Sequence, residues 1–207
     1  MDKALKKLLQ NNPAVWCASE SAGSRPRGIT TGFTALDDML PGGGWPQNSL
    51  IEILLPRWGS GELQLLLPTL LAMSQQAKWL VWLGPPFIPY APALVHAGVD
   101  LERLIVIPPE KIKTETLWAM EKILRTRSCG LVMAWPQRVS DKAMRRLQLA
   151  AEEGESLGFI FRNHVVHSSP AALRISLNML RRQLQVKLLK ARGSSRYTQV
   201  LLDLPII

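Results

Sequence analysis

Short apolar runs alternate with amphipathic segments along most of the chain. Five runs between Ser49 and Asn163 are apolar almost throughout, which is typical of strands buried on both faces of a parallel sheet. They are SLIEILL, KWLVWLG, RLIVIPP, GLVMAWP and LGFIFRN. The intervening segments predict helices, at Thr34 to Leu40, from near Gly61, around Pro92–Ala97, at Thr114 to Arg127, and after a cap at Ser140 or Asp141. The pattern predicts an α/β fold, a mostly parallel sheet with helices on both faces.

The start of the chain has a different pattern. Leu5, Leu8 and Leu9 fall on one face of a short helix with lysines opposite. Small and polar residues with a proline follow as far as Gly28, a composition typical of a linker. We therefore expect residues 1–28 to form an amphipathic helix and linker, and residues 29–207 to form the core. Whether the leucines bind the core or a partner stays open.

The end of the chain carries two runs with partial alternation, LQVKLLKAR and RYTQVLLDL, joined by a turn. They predict a C-terminal β-hairpin over Leu184–Leu204. Six cations fall within or just before it without an intervening acid, and they are candidates for weak, sequence-independent DNA binding through phosphates. The alternative is a solvated strand edge that cations protect from aggregation. The six are Arg181, Arg182, Lys187, Lys190, Arg192 and Arg196.

Composition narrows the class of protein. The 207 residues carry a net charge of +9 with a pI near 10.0, which favours nucleic acid, acidic protein surfaces or anionic membrane as partners. Two cysteines and three histidines are too few and too scattered to predict a disulfide framework or a metal site. The longest apolar stretch contains four prolines, and no secretory signal opens the chain. We expect a cytoplasmic protein that does not contact the membrane.

One glycine-containing loop has the rhythm of a phosphate-binding loop. In the pattern G-x-x-x-x-G-K-[ST], backbone N–H groups hold phosphates, the lysine reaches the terminal phosphates and the hydroxyl binds magnesium. In PRWGSGEL the lysine position holds Glu62 and the hydroxyl position holds Leu63, which cannot ligate magnesium. The degenerate loop consists of Pro56, Gly59, Ser60, Gly61, Glu62 and Leu63.

The other positions at which an ATPase carries its functional residues also lack the required side chains. The strand GLVMA is followed by Trp135 and Pro136 rather than by a magnesium-binding carboxylate, and WLVWL is followed by Gly84 and two prolines rather than by a general base. We therefore predict no catalytic residue, no cofactor and no enzyme activity.

Two tryptophans lie at turns near this loop. Trp45 follows three glycines and Trp58 lies inside the degenerate loop. Both are candidates for partner binding, because tryptophan is enriched at interfaces. For Trp58 a second interpretation stays open, in which its ring fills the vacated nucleotide pocket.

Specific phrases carry a family resemblance. TGFTALDDMLPGGGWPQNSLIEILLP and HAGVDLERLIVIPP resemble the RecA core, and PPFIPYAPAL, LWAMEKILRTRSCGLVMAWP and MRRLQLAAEEG resemble the ImuA family of SOS mutagenesis cassettes. The middle of the chain is also similar to SulA, the SOS division inhibitor that binds FtsZ. The ImuA resemblance implies a RecA-like core that has lost nucleotide chemistry and acts by contact.

The resemblance to ImuA implies a non-catalytic accessory protein of SOS-induced translesion DNA synthesis. Its expected partners are an ImuB-type Y-family polymerase homologue and a DnaE-type polymerase, with RecA, DNA and a second copy of the chain as further candidates. The resemblance to SulA implies an alternative, an SOS inhibitor of cell division that binds FtsZ and needs no affinity for DNA.

Overall fold

The chain folds around one eight-stranded mixed sheet. The computed structural model describes residues 27–112, 115–163, 169–192 and 198–204. The strand order is β3-β2-β4-β5-β1-β6-β7-β8, with parallel pairing from β3 to β6 and antiparallel pairing from β6 to β8. The strands are β1 (Leu50–Leu54), β2 (Trp79–Leu83), β3 (Leu104–Ile107), β4 (Cys129–Ala134), β5 (Leu157–Arg162), β6 (Leu173–Leu180), β7 (Gln183–Ala191) and β8 (Gln199–Asp203).

Helices cover both faces of the parallel part of the sheet. The helices are α1 (Thr34–Met39), α2 (Glu62–Ser74), α3 (Ala91–His96), α4 (Pro109–Ile112), α5 (Thr116–Leu124) and α6 (Asp141–Gly154), with a 3₁₀ turn at Leu101–Arg103. The Ser140 hydroxyl caps α6 by accepting from the Ala143 N–H at 3.2 Å. None of the described helices is long and apolar enough to cross a membrane.

Alternate residues of the strands feed two separate hydrophobic cores, as the two-residue period of a strand requires. Ile51 and Ile53 of β1 point into the core that contains α2, together with Trp82 and Phe159. Leu50 points to the opposite face, into the core that contains α5 and α6. The strands are apolar on both faces because helices cover both sides of the sheet.

A buried ion cluster lies where β1, β5 and β6 meet. Glu52 of β1 has no exposed surface, and its two carboxylate oxygens contact Arg162 Nη1 at 2.9 Å and Arg174 Nε at 3.1 Å. Arg162 and Arg174 lie in the two strands that flank β1. The cluster therefore joins three neighbouring strands at the centre of the sheet.

The predicted α/β fold with a sheet flanked by helices is confirmed, the sheet has eight strands, and the C-terminal hairpin is formed by β7 and β8. Strand β6 was not predicted. The helix predicted over Thr114 to Arg127 is shorter and spans Thr116–Leu124. The predicted arm, with Leu5, Leu8 and Leu9, lies in residues 1–26 and so outside the described residues, as does Arg196.

Candidate functional site

The degenerate loop connects β1 to α2 at the carboxyl end of β1, where open parallel sheets bind their ligands. Helix α2 begins directly after Gly61, which has a φ of 92°. This left-handed conformation favours glycine, because a Cβ there strains the backbone. An added Cβ would also lie 2.8 Å from Leu204 Cδ1. Gly61 therefore sets the sharp entry into α2.

The carboxylate of Glu62 turns back into the loop and binds a backbone N–H there. Its side chain is buried, and Oε1 accepts a hydrogen bond from the Gly59 N–H at 2.7 Å. In a phosphate-binding loop such N–H groups hold the nucleotide's phosphates. Here the anion comes from the chain itself, placed at the N-terminus of α2, where the helix dipole stabilises negative charge.

The second oxygen of Glu62 is less well placed. Oε2 is buried and has no hydrogen-bond partner within the described part of the chain. An unpaired polar atom costs about 1–3 kcal/mol when it is buried. The loop thus holds a carboxylate whose hydrogen-bonding capacity is only partly used.

Trp135 occupies the position after β4 where an ATPase places its magnesium-binding acid. Its ring stacks on Phe161 with centroids 4.6 Å apart and planes 12° apart, and it approaches Trp82 at 6.2 Å. The indole Nε1 of Trp135 is buried and lacks a hydrogen-bond partner in the described residues. At this end of β4, Trp135 thus packs against two other aromatic rings.

A cavity of about 160 Å³ lies between these groups. Its walls come from the start of α2 with the preceding loop, from Pro86 and Phe87 after β2, and from Trp135 after β4. Pockets for drug-sized ligands measure about 300–1,000 Å³. The cavity therefore matches the size of a single side chain rather than that of a drug-sized ligand.

An apolar loop lies beside the cavity at the same edge of the sheet. Phe87, Ile88 and Tyr90 are 65%, 94% and 72% exposed. Three large apolar side chains this exposed within four residues are unusual on a surface that meets only water, and such patches mark interaction sites. Composition alone does not reveal them, because the same PPFIPY segment is compatible with a buried turn.

The two tryptophans predicted to bind a partner lie in different surroundings, and the assignment of Trp58 stays a prediction. Trp45 is fully buried, its Nε1 donates to Thr69 Oγ1 at 2.9 Å, and its ring meets Phe159 edge to face. It therefore belongs to the core, and the prediction of a partner contact at Trp45 is wrong. Trp58 is half-buried and packs against the core. The aromatic walls of the cavity are Phe87 and Trp135 instead.

The rest of the loop takes on structural roles. Ser60 Oγ donates to the Arg57 carbonyl at 2.7 Å, so this hydroxyl stabilises the turn. Leu63 packs against the core and also lines the cavity. Pro56 is exposed at the end of β1.

The basic residues predicted to bind DNA do not form one free surface. Arg181 and Arg182 are exposed at the turn between β6 and β7, and Lys187 is exposed on β7. Lys190 Nζ donates to the Ser169 carbonyl, and Arg192 pairs with Glu152 at 3.2 Å. Burial lowers the pKa of Lys190, and the charges of Arg192 and Arg174 lower it further. Their assignment to DNA stays a prediction.

Comparison with known proteins identifies the family. The family model described as "Cell division inhibitor SulA" matches residues 59–158, from the degenerate loop to the start of β5. SulA from Serratia marcescens is 33% identical over 117 residues, covering 56% of this chain and 69% of the relative. SulA from Photorhabdus laumondii is 34% identical over 99 residues, covering 48% and 55%, and SulA from Yersinia pestis is 33% identical, covering 48% and 58%. The chain thus spans little more than half of the latter two.

A crystal structure of SulA from Pseudomonas aeruginosa is also similar, with a TM-score of 0.46 and 27% identity over 55% of this chain and 96% of that chain. The family model and the SulA relatives overturn the main interpretation of the sequence. The prediction of an ImuA-type accessory protein of translesion synthesis, with ImuB-type and DnaE-type polymerases as partners, is wrong. The chain belongs to the SulA family of cell division inhibitors.

Proposed function

We propose that this protein inhibits cell division during the SOS response by binding the cytoskeletal GTPase FtsZ. The observation that carries the proposal is the 33% identity over 117 residues to a cell division inhibitor. The matched family region contains the degenerate loop from Gly59 onward, the cavity and the apolar loop after β2. The proposal takes up the alternative that the middle of the sequence suggested.

The inhibitor acts by contact rather than by catalysis. Glu62 supplies the loop with an internal anion, and an incoming triphosphate meets the negative charge of this side chain. Repulsion between two unit charges about 4 Å apart is roughly 1 kcal/mol in water and about 4 kcal/mol at an effective dielectric constant of 20. Phe87, Ile88 and Tyr90 provide an exposed surface for a protein partner at the same edge.

The test combines purified FtsZ with the full-length chain. We expect the protein to lower both the GTPase rate and the light scattering of FtsZ polymers, and to cause filamentous growth when it is expressed in cells. Ile88→Ser removes the most exposed apolar side chain and should weaken the effect. As a control, Leu149→Ser changes a 61%-exposed apolar residue on α6. Normal septation and unaltered FtsZ polymers with the wild-type chain contradict the proposal.

We further infer that the core is RecA-like and that residues 1–28 form an arm separate from residues 29–207. The order of β1, glycine loop and α2 at the carboxyl edge of a parallel sheet supports the first inference. For the second, deletion of residues 1–17 should weaken self-association or partner binding and leave the melting temperature unchanged. A collapse of the melting temperature would place this segment in the core.

A further inference from the structure

The charge that lines the cavity beside the degenerate loop is negative. One of its lining residues is an acid, Glu62, and none of those that the structure describes is a base. The surrounding protein has a net charge of +9. A single carboxylate in a wall whose other described residues are uncharged therefore sets the local potential.

The carboxylate of Glu62 retains capacity for a further charged donor. Oε1 receives one backbone N–H, and Oε2 receives no hydrogen bond from the described residues. Attraction between opposite charges is several times stronger at the effective dielectric constant of a protein surface than in bulk water. A cationic group bound in the cavity would neutralise the part of the Glu62 charge that the Gly59 N–H does not compensate.

The other walls favour a planar cation. Phe87 and Trp135 line the cavity with aromatic side chains. Guanidinium groups stack on aromatic faces and donate to carboxylates in a planar fork, whereas ammonium groups are compact and more strongly hydrated. The volume of about 160 Å³ admits a side chain of this kind.

We propose that this cavity binds the guanidinium group of one arginine presented by the protein partner, with Glu62 as the counter-ion and the aromatic walls as the stacking surface. The inference rests on the proposed function for the identity of that partner, FtsZ. Phe87 lies in the cavity wall and Ile88 follows it on the surface, so an inserted arginine is surrounded by apolar contacts that exclude water. Arginine anchors in such surroundings are typical interface hot spots.

The first arm of the test uses agmatine, a guanidinium on a short alkyl chain, and the full-length protein. We expect agmatine to shift the indole N–H resonance of Trp135, identified with Trp135→Phe, and to do so saturably. Glu62→Gln keeps the shape and the acceptor for Gly59 but removes the charge, and it should weaken agmatine binding at least tenfold. Glu102→Gln removes one exposed charge from the 3₁₀ turn before β3, at the opposite edge of the sheet, and should change nothing.

The second arm measures the affinity for FtsZ of the wild type and the same two variants. Glu62→Gln should weaken binding tenfold or more with unchanged thermal stability, and agmatine should compete with FtsZ. If the variant binds both ligands like the wild type, the inference is overturned while the proposed function stands. If agmatine binding depends on Glu62 but FtsZ binding does not, the arginine anchor is equally overturned. If the wild type binds agmatine through Glu62 and fails to bind FtsZ, the cation site stands and the proposed function fails.

Discussion

Glu52 and Glu62 are buried to almost the same extent, with exposures of 0% and 3%, but their surroundings differ. Glu52 lies at the centre of the sheet, and each of its oxygens contacts a buried guanidinium group. Glu62 lies at the carboxyl edge, where one oxygen accepts a backbone N–H and the other has no hydrogen bond within the described residues.

The difference separates a structural charge from an available one. Two guanidinium groups more than neutralise the charge of Glu52, so no negative charge remains there to attract a cationic ligand. One amide and a helix N-terminus compensate Glu62 only in part. Burial alone does not indicate which buried acid has a function. The number and kind of its partners do.

The largest expected effect is on the central carboxylate. Glu52→Gln leaves two buried arginines without the negative charge that both contact, and breaking a buried ion cluster in this way costs about 3–5 kcal/mol. The free energy of unfolding from urea denaturation measures the loss. Glu62→Gln serves as the matched control, since it makes the same exchange at the edge and should cost less than about 1 kcal/mol. Equal losses for the two variants would remove the distinction between the sites.

The next effect concerns the turn that positions Glu62. Gly61→Ala places a Cβ at a φ of 92° and 2.8 Å from Leu204 Cδ1. We expect a loss of about 1–2 kcal/mol in unfolding free energy, from backbone strain and the displaced contact. Gly43→Ala is the control, because Gly43 has a φ of 73° but no atom within 4 Å of the added Cβ. If both variants lose the same amount, packing against Leu204 contributes nothing and strain alone explains the result.

The sequence predicts the strands that are apolar at nearly every position better than β6, which joins the parallel strands to the hairpin. Strands β1, β2, β4 and β5 are almost entirely apolar, and this leaves a clear pattern. Strand β6 was missed because Arg174, its second residue, is buried against Glu52 and so breaks the rule that buried positions are apolar. An ion pair between distant residues has no signature in either segment alone.

The spacing of glycines predicts a loop after β1, and the structure forms a loop between β1 and α2 there. The loss of nucleotide chemistry that Glu62 suggests stays a prediction. Sequence does not show that the carboxylate turns back onto Gly59, because that depends on the path of the loop. Trp45 was assigned to a surface since it follows glycines at a turn. The turn instead directs its ring into the core, where Thr69 accepts its N–H.

A smaller effect isolates the hydrogen bond of the loop. Glu62→Ala removes the acceptor of the Gly59 N–H and should lower the unfolding free energy by about 1 kcal/mol, the typical net contribution of one intramolecular hydrogen bond. Glu62→Gln retains an acceptor and should lose less. Urea denaturation of both variants tests this reasoning, because both remove the charge and only the Ala variant also removes the acceptor. A larger loss in the Gln variant than in the Ala variant would contradict it.

The smallest effect at neutral pH comes from Cys129, a buried group that has no ionic partner at hydrogen-bond distance in the described structure. Burial raises the pKa of its thiol from 9.0 to about 11, and the neutral S–H lies within 3.5 Å of the Trp79 carbonyl and 3.6 Å of the Leu131 carbonyl. Because the folded pKa is the higher one, folding favours the protonated thiol. Its contribution to stability is complete below pH 9 and is lost as the pH rises towards 11.

At pH 8 the thiolate fraction of Cys129 in the folded state is about a hundredth of that in the unfolded state. Alkylation by iodoacetamide in a Cys17→Ser background should therefore be slower by at least this factor than in urea. Rapid labelling of the folded protein would show that burial at this position does not protect the thiol from alkylation.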